Sequence, residues 1–170
     1  GSSNTPAASG TFHPCPAPPP RPRPPPRRVE SSPGQIPLTA DSGLLKSWPK
    51  EGPKLLWKTD RIGEGFASLS IVGNRIFTAG NIDDHTVVTA LDLDGKVVWQ
   101  AENGPAYAKQ FPGSRGTPTV DDDRVYHLSG TGNLACLDAT SGKIVWSTNL
   151  IERFQGRIPI WGLAESVLID

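Results

Sequence analysis

The sequence has no methionine, only two cysteines, and acidic and basic side chains in equal number, 17 of each. Each shortage excludes a class. A chain with no net charge has no overall electrostatic attraction for nucleic acid, and no basic stripe with interleaved aromatics stands out. No apolar run approaches the roughly 18 residues that a membrane-spanning helix requires. Cys15 and Cys136 are far apart and in unlike contexts, so neither a disulfide framework nor a thiolate metal site is written into the chain. Cys15 follows Phe12-His13-Pro14 rather than the small and aliphatic residues that precede a lipidated cysteine. With no initiator Met, the natural start is expected to have been processed or to lie upstream, and no signal peptide is visible.

Proline is abundant but badly distributed. Residues 1–42 hold 12 of the 18 prolines and scarcely an aliphatic side chain. Such a stretch cannot bury a core, and it reads as a disordered Pro/Arg-rich tail or linker, extended where it is stiff. Pro22-Arg23-Pro24-Pro25-Pro26-Arg27 fits the spacing of a ligand for aromatic-lined grooves, but any Pro/Arg tract produces such matches, and a plain basic linker is the simpler reading.

From Leu44 onward the chain repeats. Trp57, Trp99 and Trp146 end three related phrases, the last two being Gly95-Lys96-Val97-Val98-Trp99 and Gly142-Lys143-Ile144-Val145-Trp146. Each of these two follows a matching half ending on an aspartate-bearing turn, with Asp92 in the first and Asp138 in the second. A hydroxyl residue three places before an aliphatic one recurs at Ser68, Thr117 and Ser166, a spacing of 49 residues both times. Within each period four short runs of strand formers alternate with turn residues, at about 66–72, 75–80, 85–92 and 96–102, then 116–120, 124–129, 133–138 and 143–149. No helical period is evident. Four-stranded meanders repeated at 40 to 50 residues predict an all-β chain built of antiparallel propeller blades, two of them complete at about 66–102 and 116–149. A lone outer strand is expected at Leu55 to Thr59 and a third blade opening near 161. The recurrent Trp is expected to lie buried at the joint between blades, with its Gly-Lys turn setting the register.

The phrase Cys136-Leu137-Asp138-Ala139-Thr140-Ser141-Gly142-Lys143-Ile144-Val145-Trp146, with its shorter copy ending at Trp99, resembles the repeats of quinoprotein (PQQ-like) β-propellers and their tryptophan docking motif. The likeness covers residues 43–170. More narrowly, Phe111 to Asp121 and Trp161-Gly162 resemble PQQ-like repeat proteins of planctomycete-type bacteria. WD-repeat and kelch signatures are absent. Propellers of the resembled family commonly have eight blades, so the resemblance implies the N-terminal part of a longer protein, marginally stable by itself. It also implies export to the periplasm or beyond.

Two functions compete. The first is a non-catalytic exported scaffold or binding module of the cell envelope, with no cofactor. The alternative is a PQQ-dependent oxidoreductase acting on alcohols or sugars, which by the resemblance needs PQQ with Ca²⁺, a carboxylate base and an adjacent Cys-Cys pair. That pair is missing, which favours the scaffold. Asp121-Asp122-Asp123 and Asp83-Asp84 fall where turns are required, and Asp92-Leu93-Asp94-Gly95 departs from a calcium loop at its glycine and its twelfth place, so all three read as turns. His13, His85 and His127 form no ligand spacing and no Ser/His/Asp arrangement is visible. In a meander the links between blades share one end with the turns between strands two and three. At that end the long connections 103–115 and 149–162 carry Tyr107, Phe111, Arg115, Arg153, Phe154, Arg157 and Trp161. Long loops with aromatic and Arg side chains suit a protein partner or a small planar or anionic ligand, and Tyr107, Arg115, Arg157 and Trp161 are the candidate residues.

Overall fold

The computed structural model describes residues 46–169, so the expectations placed on residues 1–42 lie outside it. Residues up to Leu55 group apart from Leu56–Asp170. In the described part of the first group, the Gly52 N–H donates to the Pro49 carbonyl at 2.8 Å and closes a turn.

The second group holds two four-stranded antiparallel sheets, each wound in sequence order. The first comprises β1 (Ser70–Val72), β2 (Arg75–Ile82), β3 (His85–Leu91) and β4 (Val97–Pro105). The second comprises β5 (Thr119–Asp121), β6 (Arg124–Leu128), β7 (Asn133–Asp138) and β8 (Ile144–Asn149). Both are meanders of propeller-blade type. Two-residue turns close β1 on β2 and β2 on β3, with Gly73 and Asp83 at positive φ. The longer outer turns are held by aspartates. Asp92 Oδ1 accepts from the backbone N–H groups of Asp94 (3.0 Å) and Lys96 (2.9 Å). Asp138 Oδ1 accepts from the N–H groups of Thr140 and Ser141 and from the Ser141 hydroxyl. These bonds, the Ser141 hydroxyl first among them, hold the Asp138 carboxyl below its ordinary range.

Each outer pair carries a bulge just before its tryptophan. Ala90 faces Trp99 while Leu91 faces Val97, and Cys136 faces Trp146 while Leu137 faces Ile144, so Val98 and Val145 are the extra residues. The bulge sets the ring on the same face in both sheets, tilted against Phe77 at 6.0 Å in one and Tyr126 at 6.3 Å in the other.

The sheets share one core of Phe77, Val88, Ala90, Trp99, Val125, Ala135 and Leu137. Trp99 is 8% exposed because it lies across the joint, with its Nε1–H donating to the Ala139 carbonyl at 3.0 Å. Gly142 makes this possible: a Cβ there would lie 2.6 Å from the ring's Cδ2. Trp57 uses the next turn back in the same way, donating to the Leu93 carbonyl at 2.8 Å over Gly95. The glycine of each phrase thus serves the tryptophan of the preceding one and not only its own turn.

Four expectations need correction. No strand forms over residues 55–59, because that segment is fixed through the Trp57 ring rather than by pairing with any described strand. Trp146 is half-buried, not buried like Trp99, with Tyr126 of its own sheet against it. A short helix, α1 (Leu150–Phe154), follows β8; it buries nothing and so leaves no apolar period to read. Residues 163–169 carry no named strand, although Ser166 takes the place that its spacing assigns. The Ser68 N–H donates to Thr117 Oγ1 at 3.0 Å, and the Thr117 N–H to Ser166 Oγ at 3.1 Å. The recurring hydroxyl is therefore a bond passed from one repeat to the next.

Candidate functional site

The two long connections meet at one end of the sheets. The first leaves β4 and is pinned at its start, where the Ala106 N–H donates to the Asp84 carbonyl at 2.8 Å and Asn81 Nδ2 to the Tyr107 carbonyl at 3.1 Å. The second begins with α1, capped by Asn149 accepting from the Glu152 N–H at 3.1 Å and ended by Gln155 in the left-handed region.

Tyr107 is buried and joins the connections: its hydroxyl donates to the Ile160 carbonyl. Gly162 is the reason the second connection can lie on its ring, since a Cβ there would come within 3.1 Å of Tyr107 Cδ2. Arg115 holds the first connection together. Its Nη1 donates to the Gly113 carbonyl at 2.8 Å and its Nη2 to the Phe111 carbonyl, while its Cζ lies 5.2 Å from the ring centroids of both Phe66 and Tyr107. That arrangement satisfies the guanidinium within the chain and makes it a clamp. The clamp fixes Phe111 at φ 56°, outside the usual range for a bulky residue. Phe111 then stacks on Trp161 from the second connection, with centroids 5.3 Å apart and planes 27° apart. Both rings remain largely in solvent, 54% and 51% exposed.

Of the four candidates, Tyr107, Arg115 and Trp161 come together. Arg157 is exposed, and among the described contacts none ties it to the cluster. Phe66 was not foreseen, because at the equivalent place of the next repeat, 49 residues on, stands Arg115 rather than an aromatic residue.

A second cluster also escaped notice. Ser114, His127 and Asn103 meet beneath the connections, all buried, with an asparagine and no aspartate beside the histidine. The alternation of β6 signalled it, since His127 lies two residues from Val125 and shares its inward face. Asn103 Nδ2 donates to the His127 and Asn133 carbonyls at 3.0 and 3.1 Å and lies 2.9 Å from His127 Nδ1. An NH₂ group facing Nδ1 assigns the ring's proton to Nε2. Burial lowers the imidazole from 6.5 to about 4, only partly offset by its hydrogen bond to the Gly116 backbone. Ser114 Oγ lies 3.4 Å from Nε2. A nitrogen that already carries the proton cannot take one from serine, so this is not an activated nucleophile.

The described residues do not fit PQQ with Ca²⁺ either. Among them no group of three His, Cys, Asp or Glu side chains is placed to hold a metal ion. Asp123 is paired with Arg124 at 2.7 Å in the β5–β6 turn, and Cys136 is buried. At the opposite end from the connections, a groove of about 670 Å³ is lined by Val72, Phe77, Val120 and Ala139, together with Arg75 and Asp123.

Residues 84–162 match the family model described as "Outer membrane protein assembly factor BamB". The chain is 28% identical to the outer membrane protein assembly factor BamB of Moranella endobia (strain PCIT), over 70% of this chain and 32% of that protein. It thus spans about a third of that relative's length. Among solved structures, BamB from Moraxella catarrhalis is 21% identical, with a TM-score of 0.42 over 50% of this chain and 25% of the other. The quinohemoprotein alcohol dehydrogenase from Comamonas testosteroni is 22% identical, with a TM-score of 0.40 over 54% and 14%. None of these likenesses supports the narrower planctomycete-type resemblance. Residues 84–162 are thus similar to the repeats that this family model describes, and the two four-stranded meanders are the fold those repeats share.

Proposed function

We propose that the chain is a non-catalytic binding part of an exported β-propeller, presenting the Phe111–Trp161 face to a protein partner in the cell envelope. The observation that carries this reading is the stacked, half-exposed ring pair, built from two successive connections and clamped by Arg115 and Tyr107. Exposed aromatics on a rigid support lose little conformational entropy on docking, which is why such rings dominate binding energy at interfaces. The similarity to an assembly factor supports a role in bringing envelope proteins together, and it is the basis for placing the chain outside the cytoplasm. The alternative, a PQQ-dependent oxidoreductase, would need its ligand set to be found in the full-length protein.

The test is photocrosslinking in cells of the full-length protein, with the reactive group at position 161 or, as a control, at the exposed position 98. A discrete adduct from 161 alone supports the reading. Equal labelling from both positions, or dye-linked alcohol oxidation that requires PQQ and Ca²⁺, overturns it.

A further inference from the structure

The buried cluster at His127 spans the joint between the sheets. Asn103 belongs to β4 of the first sheet, His127 and Asn133 to β6 and β7 of the second, and Ser114 and Gly116 to the connection between them. The backbone of that connection also binds the first sheet's entry segment: the Phe66 N–H donates to the Ser114 carbonyl at 2.7 Å, and the Ser114 N–H to the Glu64 carbonyl at 3.3 Å.

We propose that this cluster is an acid-sensitive latch, in which a second proton on the His127 ring cannot be housed and releases the connection between the two sheets. The reason is a matter of donors. Protonated Nδ1 would point an N–H at the Asn103 Nδ2–H₂ group, donor against donor. Turning the Asn103 amide does not relieve this, because its Oδ1 would then face the His127 and Asn133 carbonyl oxygens. Burial removes water as an alternative acceptor.

Nor does a neighbouring charge compensate. From β4, Glu102 is exposed and within 3.7 Å of His85 Nε2 instead. From the connection, Arg115 lies over Phe66 and Tyr107. From β6, Arg124 pairs with Asp123 and Asp138. From the segment that follows Gly162, the Glu165 carboxylate accepts from the Ala164 N–H. The β7 partner Asn133 is neutral. The depressed basicity of the ring agrees with this, since no charge contributes to it.

The test is amide hydrogen exchange on the full chain between pH 7 and pH 4.5, corrected for intrinsic exchange rates. The variant His13→Gln/His85→Gln lets the remaining ring be followed by NMR in parallel. Protection of the Phe66 and Ser114 amides is expected to fall roughly fifty- to a hundredfold, while the Val88 and Thr89 amides of β3 change only a few-fold. His127→Gln should abolish the pH dependence at the joint. Should that variant not fold, the single-histidine chain decides when followed to about pH 3.5: joint protection should fall about tenfold per pH unit below about 6.5, where a released ring takes up its proton, and level off near 4, where the ring titrates in the closed state. A parallel loss at joint and strand amides, an unchanged joint, or a fall that does not level off as the ring titrates overturns the latch.

Discussion

Trp99 and Trp146 close the same phrase, follow the same bulge and lean on equivalent rings, yet Trp99 is buried and Trp146 half-buried. The contrast separates two layers of information. Local residues decide where the ring points: the aspartate turn, the extra valine and the aromatic two strands away on the same rung. How deeply it is buried depends on the neighbouring sheet, through the Ala139 carbonyl and the bare Cα of Gly142. A repeat protein is held together by such joints as much as by its repeats.

Truncation of the two rings should therefore differ. Trp99→Ala is expected to cost roughly 3–5 kcal/mol, in line with other fully buried rings, and Trp146→Ala about half of that, in urea titrations of the full chain. Equal losses would break the comparison. Acid should strain the joint next. His127 stays neutral in the folded chain down to about 4 but takes up a proton near 6.5 once unfolded. Stability is then complete above about pH 6.5 and falls as pH drops toward 4, by about 3 kcal/mol in all. Asp138, lowered in the folded chain, adds a loss in the same direction at more acid pH. Urea midpoints that stay level from pH 7 to pH 4 would contradict the part assigned to His127.

A pair of glycines sharpens the comparison further. Gly142 and Gly73 both have positive φ, but a Cβ at Gly73 meets open space. Gly73→Ala should cost about 1 kcal/mol, from backbone strain alone, and Gly142→Ala about 2–3 kcal/mol, because it also displaces the Trp99 ring. If the two variants melt together, the glycine is not the seat of the ring. The smallest effect is expected from Tyr107→Phe, about 1 kcal/mol for the lost bond to Ile160. Its signature is local: faster exchange at the Leu163 amide, which is bonded to Gly130, with the β2–β3 ladder unchanged.

Much of this was legible in the sequence. The 49-residue spacing and the alternation of strand formers with Gly, Asn and Asp located all eight strands to within a few residues, since each turn depends on its own side chains. What escaped depends on contacts remote in sequence. Residues 55–59 have strand-forming composition, but a strand exists only against a partner. The five residues of α1 are held by Asn149 and Gln155 at their ends, which no apolar period reveals. Gly95 and Gly142 read as turn formers, whereas their larger duty is to a tryptophan some 40 residues earlier. At the candidate site, chemistry and loop position single out Tyr107, Arg115 and Trp161, but that Arg115 is a clamp is seen only with Phe66 and Tyr107 beside it.

The central claim is that the ring pair at the connections is what a partner grips. The most direct measurement is the affinity of a purified partner, identified by crosslinking at 161, for full-length protein carrying Phe111→Ala and Trp161→Ala, beside Leu93→Ala at the opposite end. Both rings are half-exposed and outside the shared core, so the double variant should keep its melting temperature within a few degrees. We predict a loss of affinity of at least tenfold for the ring variants, about 1.4 kcal/mol or more, and none for Leu93→Ala. Unchanged affinity in the ring variants, with the partner still bound, would contradict the account.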